Sequence, residues 1–205
     1  MENNYHYPVT AQGQETFNHI VDVAKKLFKE SGYSLNSVNK IITEAKIATG
    51  TFYIYFKDKL SLYQYILLDY KNKIKHHLHE AIKGCTTRYE VEREGLKAFI
   101  QFACEDELSY NIIWESLFID RNIFIEYYEN FAEKYTNRLQ LSQECGEIRK
   151  TDIETLAYIL MGISNFVGLQ ALFQQTEKKR RLTEQEIDFI VDNVMDVLTN
   201  GMFVK

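Results

Sequence analysis

Proline is nearly absent from this chain: Pro8 is the single one in 205 residues, and glycine numbers only nine. Apolar residues recur at helical spacing, and no convincing run of alternating strand residues is found, so the expected class is all-α. Cysteine is scarce too. Cys85, Cys104 and Cys145 are widely spaced, with no CxxC pair, which speaks against a disulfide framework or a zinc site and for idle thiols in a reducing compartment. No apolar run approaches the roughly 20 residues that span a bilayer, and the N-terminus is polar; no membrane segment or signal peptide is expected, and the location expected is cytoplasmic. Strong positive charge is also missing. The net charge is −5, which excludes a wholly basic nucleic-acid coat protein. The imbalance is uneven, however. Residues 1–60 carry seven lysines and no arginine against six acids, and the excess of acid lies in 61–205. A near-neutral head on an acidic body still permits DNA binding if its cations share one face.

The first twelve residues are polar and expected to fray. A first helix then buries Phe17, Ile20, Val21, Ala24, Leu27 and Phe28 on one face and stops at Gly32. Asn36 and Ser37 are N-cap types for a second helix over 37–45, burying Val38, Ile41, Ile42 and Ala45. Residues 46–48 make a turn into a third helix over 49–56. Asp58 caps a fourth, whose apolar face fades before about residue 83. Further helices are expected over about 90–103, 108–119 and from Asp120 to Gly146. Two more begin at Thr-x-x-Glu capping boxes, 151–154 and 183–186, and run to about 175 and 202. The basic run 178–181 between them reads as a solvated loop near a helix C-terminus. His76, His77 and His79 invite a metal reading, but only His76 and His79 share a face and no third ligand is near, so no metal and no cofactor are expected.

The informative stretch is 37–59. In its third helix, Phe52 and Phe56 are four apart and should point inward. Thr49, Thr51, Tyr53 and Tyr55 then occupy the outward side and flanks. Short hydroxyls near a helix N-terminus leave room for base edges, and tyrosine hydroxyls reach phosphates. Gly50 would allow close backbone approach to a duplex. Ser37 and Lys59 stand at helix starts, where free amides favour a phosphate.

These residues resemble the signature of the TetR family of bacterial transcriptional repressors. The likeness rests on Ser37-Val38, Ile41-Ile42, Ala45-Lys46-Ile47, Ala48-Thr49-Gly50-Thr51, Phe52, Tyr53, Ile54, Tyr55, Phe56, Lys59 and Leu62, and covers about residues 14–74. Lys46 stands for the usual turn glycine, Ala48 for a serine cap and Ile42 for a small alanine. The resemblance implies a helix-turn-helix headpiece over 14–74 (motif 37–56) and a helical effector-binding and dimerisation domain over 75–205. It also implies that Ser37, Tyr53, Tyr55 and Lys59 touch phosphate, and that Asn39, Thr49, Gly50, Thr51 and Ile54 meet bases of a double-stranded, pseudo-palindromic operator. With no arginine on the third helix, thymine methyls and DNA shape should weigh more than guanine reading.

The family implies a homodimer. Its pairing surface is expected on the helices near 151–175 and 183–202, the first apolar nearly all round and carrying Gly162, Ser164 and Gly168. The family also implies an apolar effector pocket, for which Tyr110, Trp114, Phe118, Tyr128, Asn165 and Phe166 are the candidate lining, with a small hydrophobic ligand that releases a repressor from DNA. An enzyme is disfavoured because GxSxG, HExxH and glycine-rich phosphate-loop patterns are absent. A helical protein–protein adaptor is the alternative, although it leaves Gly50, Tyr53 and Lys59 unexplained.

Overall fold

The computed structural model describes residues 5–202. Among them are nine helices, α1 (Ala11–Ser31), α2 (Val38–Ala45), α3 (Thr49–Tyr55), α4 (Lys59–Ala81), α5 (Arg88–Glu105), α6 (Glu107–Ile119), α7 (Arg121–Glu144), α8 (Ile153–Lys178) and α9 (Glu184–Asn200), and no strand. The all-α expectation is met. The chain divides into two compact units: residues up to Asn72 together with Tyr110–Ile123, and Lys73–Ser109 together with the chain from Phe124 on.

In the first unit, α1 is capped by Thr10, whose hydroxyl accepts from the Gly13 amide at 3.1 Å. Its buried face is the expected one, Phe17, Ile20, Val21, Ala24, Leu27 and Phe28. Phe17 stacks on Phe56 at 5.0 Å between ring centres and meets Tyr65 edge-on at 4.8 Å. From Tyr5 on, the N-terminus corrects the expectation of fraying, while residues 1–4, to which the same expectation applied, lie outside the described residues. Tyr5 is buried and forms an isolated antiparallel bridge with Phe56, and the His6 amide donates to the Tyr55 carbonyl at 2.8 Å. Burial, with Tyr7 close by, pushes the Tyr5 hydroxyl up to about 12. The cap of α4 is reciprocal: Asp58 Oδ1 accepts from the Ser61 amide, and Ser61 Oγ accepts from the Asp58 amide. Lys25 on α1 pairs with Asp69 on α4 at 2.8 Å.

In the second unit, α5, α8 and α9 share a core of Leu96, Ile100, Ala171, Ile187, Ile190, Val191 and Met195. A second core joins Leu139 of α7 to Ile153, Ala157 and Leu160 of α8. Salt bridges stitch the α5 and α9 surfaces, from Arg93 to Asp188 and Asp192 and from Lys97 to Glu184 and Asp188. The expected start of α9 holds, with the Thr183–Glu186 capping box formed. The start of α8 differs: Asp152, not Thr151, is the cap, accepting from the Thr155 amide at 2.8 Å. A second formed box, Thr87 with Glu90, opens α5 two residues earlier than expected.

The absence of a long apolar run is also corrected. By length and composition α8 could cross a membrane, since residues 155–176 carry no charge. Ser164, Asn165 and Gln170 interrupt the run without charging it. In this fold α8 contributes Ala157 and Ala171 to the two cores just described.

Candidate nucleic-acid interface

The helix-turn-helix is built from local rules. Ser37 caps α2, its hydroxyl accepting from the Lys40 amide at 3.1 Å. Lys46 closes α2 in the left-handed region, φ 52° and ψ 42°, where a glycine would be unstrained. The α2 C-terminus is held from α1, where His19 Nε2 lies 3.0 Å from the Ala45 carbonyl and therefore carries the donated proton. Ala48 enters α3 without a side-chain cap, so the Thr51 amide turns to the Ala48 carbonyl at 2.9 Å.

The residues of α3, with Phe56 just after it, then divide sharply. Phe52 and Phe56 are fully buried, as expected. Thr49, Gly50, Tyr53 and Ile54 are exposed and Thr51 is half-buried; around Gly50 an added Cβ would meet open space. Ile54, an apolar side chain 61% exposed, lies beside Tyr53 at 52%. Ser37 and Asn39 are exposed at the start of α2. The structure thus presents Thr49, Gly50, Tyr53 and Ile54 on one small helix, with the α2 start beside it in the same motif.

Two expected contacts stand elsewhere. Tyr55 is 9% exposed, its ring edge-on to Phe17 at 5.6 Å. It lies three residues from Phe52, hence on the same side of the helix, and belongs to the core. Lys59 is half-buried. Its ammonium donates to the Tyr33 carbonyl at 2.8 Å and sits 3.8 Å above the Tyr33 ring; burial pushes its pKa down, opposed by the Glu115 charge. Exposed lysines near the motif are Lys40, Lys46 and Lys57, of which Lys57 carried no role in the sequence reading.

Asn36 was read as a possible cap and is fully buried. Its amide nitrogen lies within reach of the Leu27 and Gly32 carbonyls and the Ser31 hydroxyl, so it ties the end of α1 to the start of α2. Nothing in sequence spacing marks such a role, because it depends on how the chain folds back after Gly32.

The residues expected to line a pocket do not stand alike. In the first unit Tyr110 is buried near Trp114, with ring centres 6.5 Å apart. In the second, the Tyr128 hydroxyl pairs with Asn165 Oδ1 at 3.2 Å. Phe118 and Phe166 correct the expectation of enclosure, being 88% and 65% exposed. Phe118 sits roughly half a turn from the buried Ser116, on the outer side of α6. Among the described residues no group of three or more His, Cys, Asp or Glu is placed to hold a metal.

Residues 20–66 match the sequence model of the tetR family of bacterial regulatory proteins. An HTH-type transcriptional regulator of Staphylococcus aureus (strain USA300) is 31% identical over 94 residues, 46% of this chain and 51% of that protein. The chain therefore spans about half the length of the curated relatives of this kind that it matches. AcrR of Shigella flexneri is 42% identical over 55 residues, 27% of this chain and 26% of that protein. Among solved structures, a TetR-family transcriptional regulator from Syntrophomonas wolfei shares the fold, with a TM-score of 0.77 and 21% identity over 94% of this chain and 99% of that one. FadR from Bacillus subtilis, solved in complex with stearoyl-CoA, has a TM-score of 0.74 at 19% identity, over 91% of this chain and 100% of that one. The headpiece, with its inward aromatic pair and outward Thr-Gly-Thr-x-Tyr face, thus lies within the stretch that matches the tetR family model, and the chain as a whole has the fold of solved TetR-family regulators.

Proposed function

We propose that this protein is a ligand-responsive, DNA-binding transcriptional regulator, acting as a repressor that a hydrophobic small molecule releases from its operator. The observation that carries the reading is α3 itself: one side is fully buried at Phe52 and Phe56, while Tyr53 and Ile54 stand in solvent beside an unobstructed Gly50. An exposed isoleucine next to small hydroxyls suits thymine methyls in a major groove. The proposed contact set is Ser37, Asn39, Thr49, Gly50, Thr51, Tyr53 and Ile54, with the exposed Lys40 and Lys57 supplying cations. Tyr55 and Lys59 support this surface from behind.

One such helix buries too little to select an operator, so the reading requires a pair of headpieces on two half-sites. Support for a homodimer comes from α8 and α9. Ile159, Phe166 and Phe173 recur every seven residues along α8 and are all exposed, as are Phe189 and Val197 on α9. Isolated exposed apolar residues are ordinary, but a stripe of large ones suits a partner helix. The stearoyl-CoA bound to FadR, a fold relative, supports an apolar effector class.

The reading is tested by gel-shift titration against duplexes tiled across the DNA flanking the protein's own gene. Salt-sensitive binding to one or two duplexes is expected, competed by the same unlabelled duplex and not by random DNA, and weakened by Tyr53→Ala. Equal competition by random DNA would remove the operator-specific reading and favour the helical adaptor.

A further inference from the structure

Tyr33, between α1 and α2, is gripped at both ends of its backbone. Its amide donates to Glu115 Oε1 at 2.6 Å, from a residue 82 positions downstream. Its carbonyl accepts from Lys59 Nζ at 2.8 Å. Its ring lies under the Lys59 ammonium and edge-on to Tyr63, ring centres 5.0 Å apart. Tyr63 is itself fully buried and donates its hydroxyl to the Ile112 carbonyl. All five residues lie in the first unit.

The corner is shaped for this carboxylate. Gly32 has φ 75°, and a Cβ there would come within 2.8 Å of Glu115 Oε1. A side chain at 32 would therefore be strained and would also displace the acceptor. Glu115 needs glycine before Tyr33, and Tyr33 needs Glu115 to satisfy an amide just past a helix end. Lys59 completes the set, bonding the carbonyl of the same residue whose amide Glu115 accepts, on the next peptide group along.

We propose that Glu115 is a positioning residue for DNA reading, and that Lys59 serves this corner rather than a phosphate. The inference rests on the DNA-binding function proposed above. Tyr33 lies four residues before the Ser37 cap of α2, and Lys59 is the first residue of α4. Holding Tyr33 by both its amide and its carbonyl fixes where α2 begins relative to α4, and α3 lies between them in sequence. Glu115 thus sets the frame of the recognition helix while touching no DNA. Lys57, exposed two residues earlier, is then the cation before α4 that reaches the backbone.

The test uses the full chain and the duplex best bound in the tiled gel shift, at temperatures well below each variant's melting point. E115A is expected to lose about tenfold in affinity, the scale of one charge-assisted hydrogen bond. E115Q keeps an acceptor for the Tyr33 amide and is expected to recover most of that loss. K59Q should lower affinity with the salt slope unchanged, whereas K57Q should reduce the slope by about 1, as a lost phosphate contact does. The Tyr33 amide proton, followed by NMR without DNA, should move upfield in E115A and hold in E115Q. A K59Q slope reduced by about 1 would make Lys59 a phosphate ligand and overturn its assignment. Unchanged affinity in E115A overturns the positioning role alone. A wild-type protein that binds none of the duplexes overturns the DNA reading and this role with it, while the Tyr33 amide still reports whether the grip exists.

Discussion

The Asn36 side chain, wholly out of solvent, donates to the Leu27 carbonyl at 3.0 Å and so closes the end of α1 against the start of α2. Three acceptors surround its nitrogen, while its carbonyl oxygen has no hydrogen-bond partner among the described residues. Asn36→Leu is expected to cost about 1–3 kcal/mol, because the acceptors lose their donor inside the fold. Asn36→Asp should cost more, since a carboxylate would face the same acceptors. Urea unfolding with an unchanged m-value checks both; a neutral Asn36→Asp would show that the site is wetter than it looks.

Lys46 sits in a conformation that favours glycine. Lys46→Gly should stabilise the fold by about 0.5–1 kcal/mol, the left-handed strain removed less the extra freedom of an unfolded glycine. Lys46→Val, β-branched, should destabilise it. Equilibrium unfolding gives the order directly, and a destabilised Lys46→Gly would mean that the lysine side chain makes a contact worth more than its strain.

Tyr53 and Tyr55 are two residues apart and should behave oppositely. Tyr53→Ala removes an exposed ring and should leave stability within about 0.5 kcal/mol. Its loss should appear in DNA affinity. Tyr55→Ala empties a place against Phe17 and should cost about 3 kcal/mol. Thermal melts beside gel shifts on the two variants separate the surface role from the core role.

Glu186 gathers Arg180, Lys178 and the Thr183 cap around one carboxylate, and these hold it well below the usual carboxylate range, the Arg180 hydrogen bond first. A lowered folded pKa means the unfolded chain takes up the proton first. The contribution to stability is therefore present above the ordinary glutamate value, near 4.3, and fades as pH falls below it toward the lower folded value. Glu186→Gln keeps the capping geometry without the charge. The gap in melting temperature between wild type and Glu186→Gln should be clear at pH 7 and shrink by pH 3. A gap independent of pH would assign the effect to the cap alone.

Much of the headpiece was legible in the sequence because its determinants are near neighbours. The caps at Ser37 and Asp58 and the inward pair Phe52 and Phe56 follow from residue type and spacings of three or four residues, as does Thr183 at the start of α9; the strained turn at Lys46 was legible only through the family resemblance. Thr87 and Glu90 have the same spacing as Thr183 and Glu186, so the start of α5 at Arg88 was also written locally, ahead of the helix expected over about 90–103. At 151–152 two cap residues stood side by side, and only backbone geometry chose Asp152. The outward reading of Tyr55 failed because a flank position on a seven-residue helix is buried or exposed according to what packs beside it, here Phe17.

Alone, the sequence determined the helical class, the order of elements and the surface offered by α3, since hydrogen bonds and side-chain contacts within a few residues dictate each of them. Only the tertiary structure decided which polar side chains are structural. Asn36 at the end of α1, Tyr5 against Phe56, and Lys59 and Glu115 on the carbonyl and amide of Tyr33 take their roles from neighbours brought close by the fold. Periodicity carries no record of such meetings, because they depend on how loops close and not on how helices repeat.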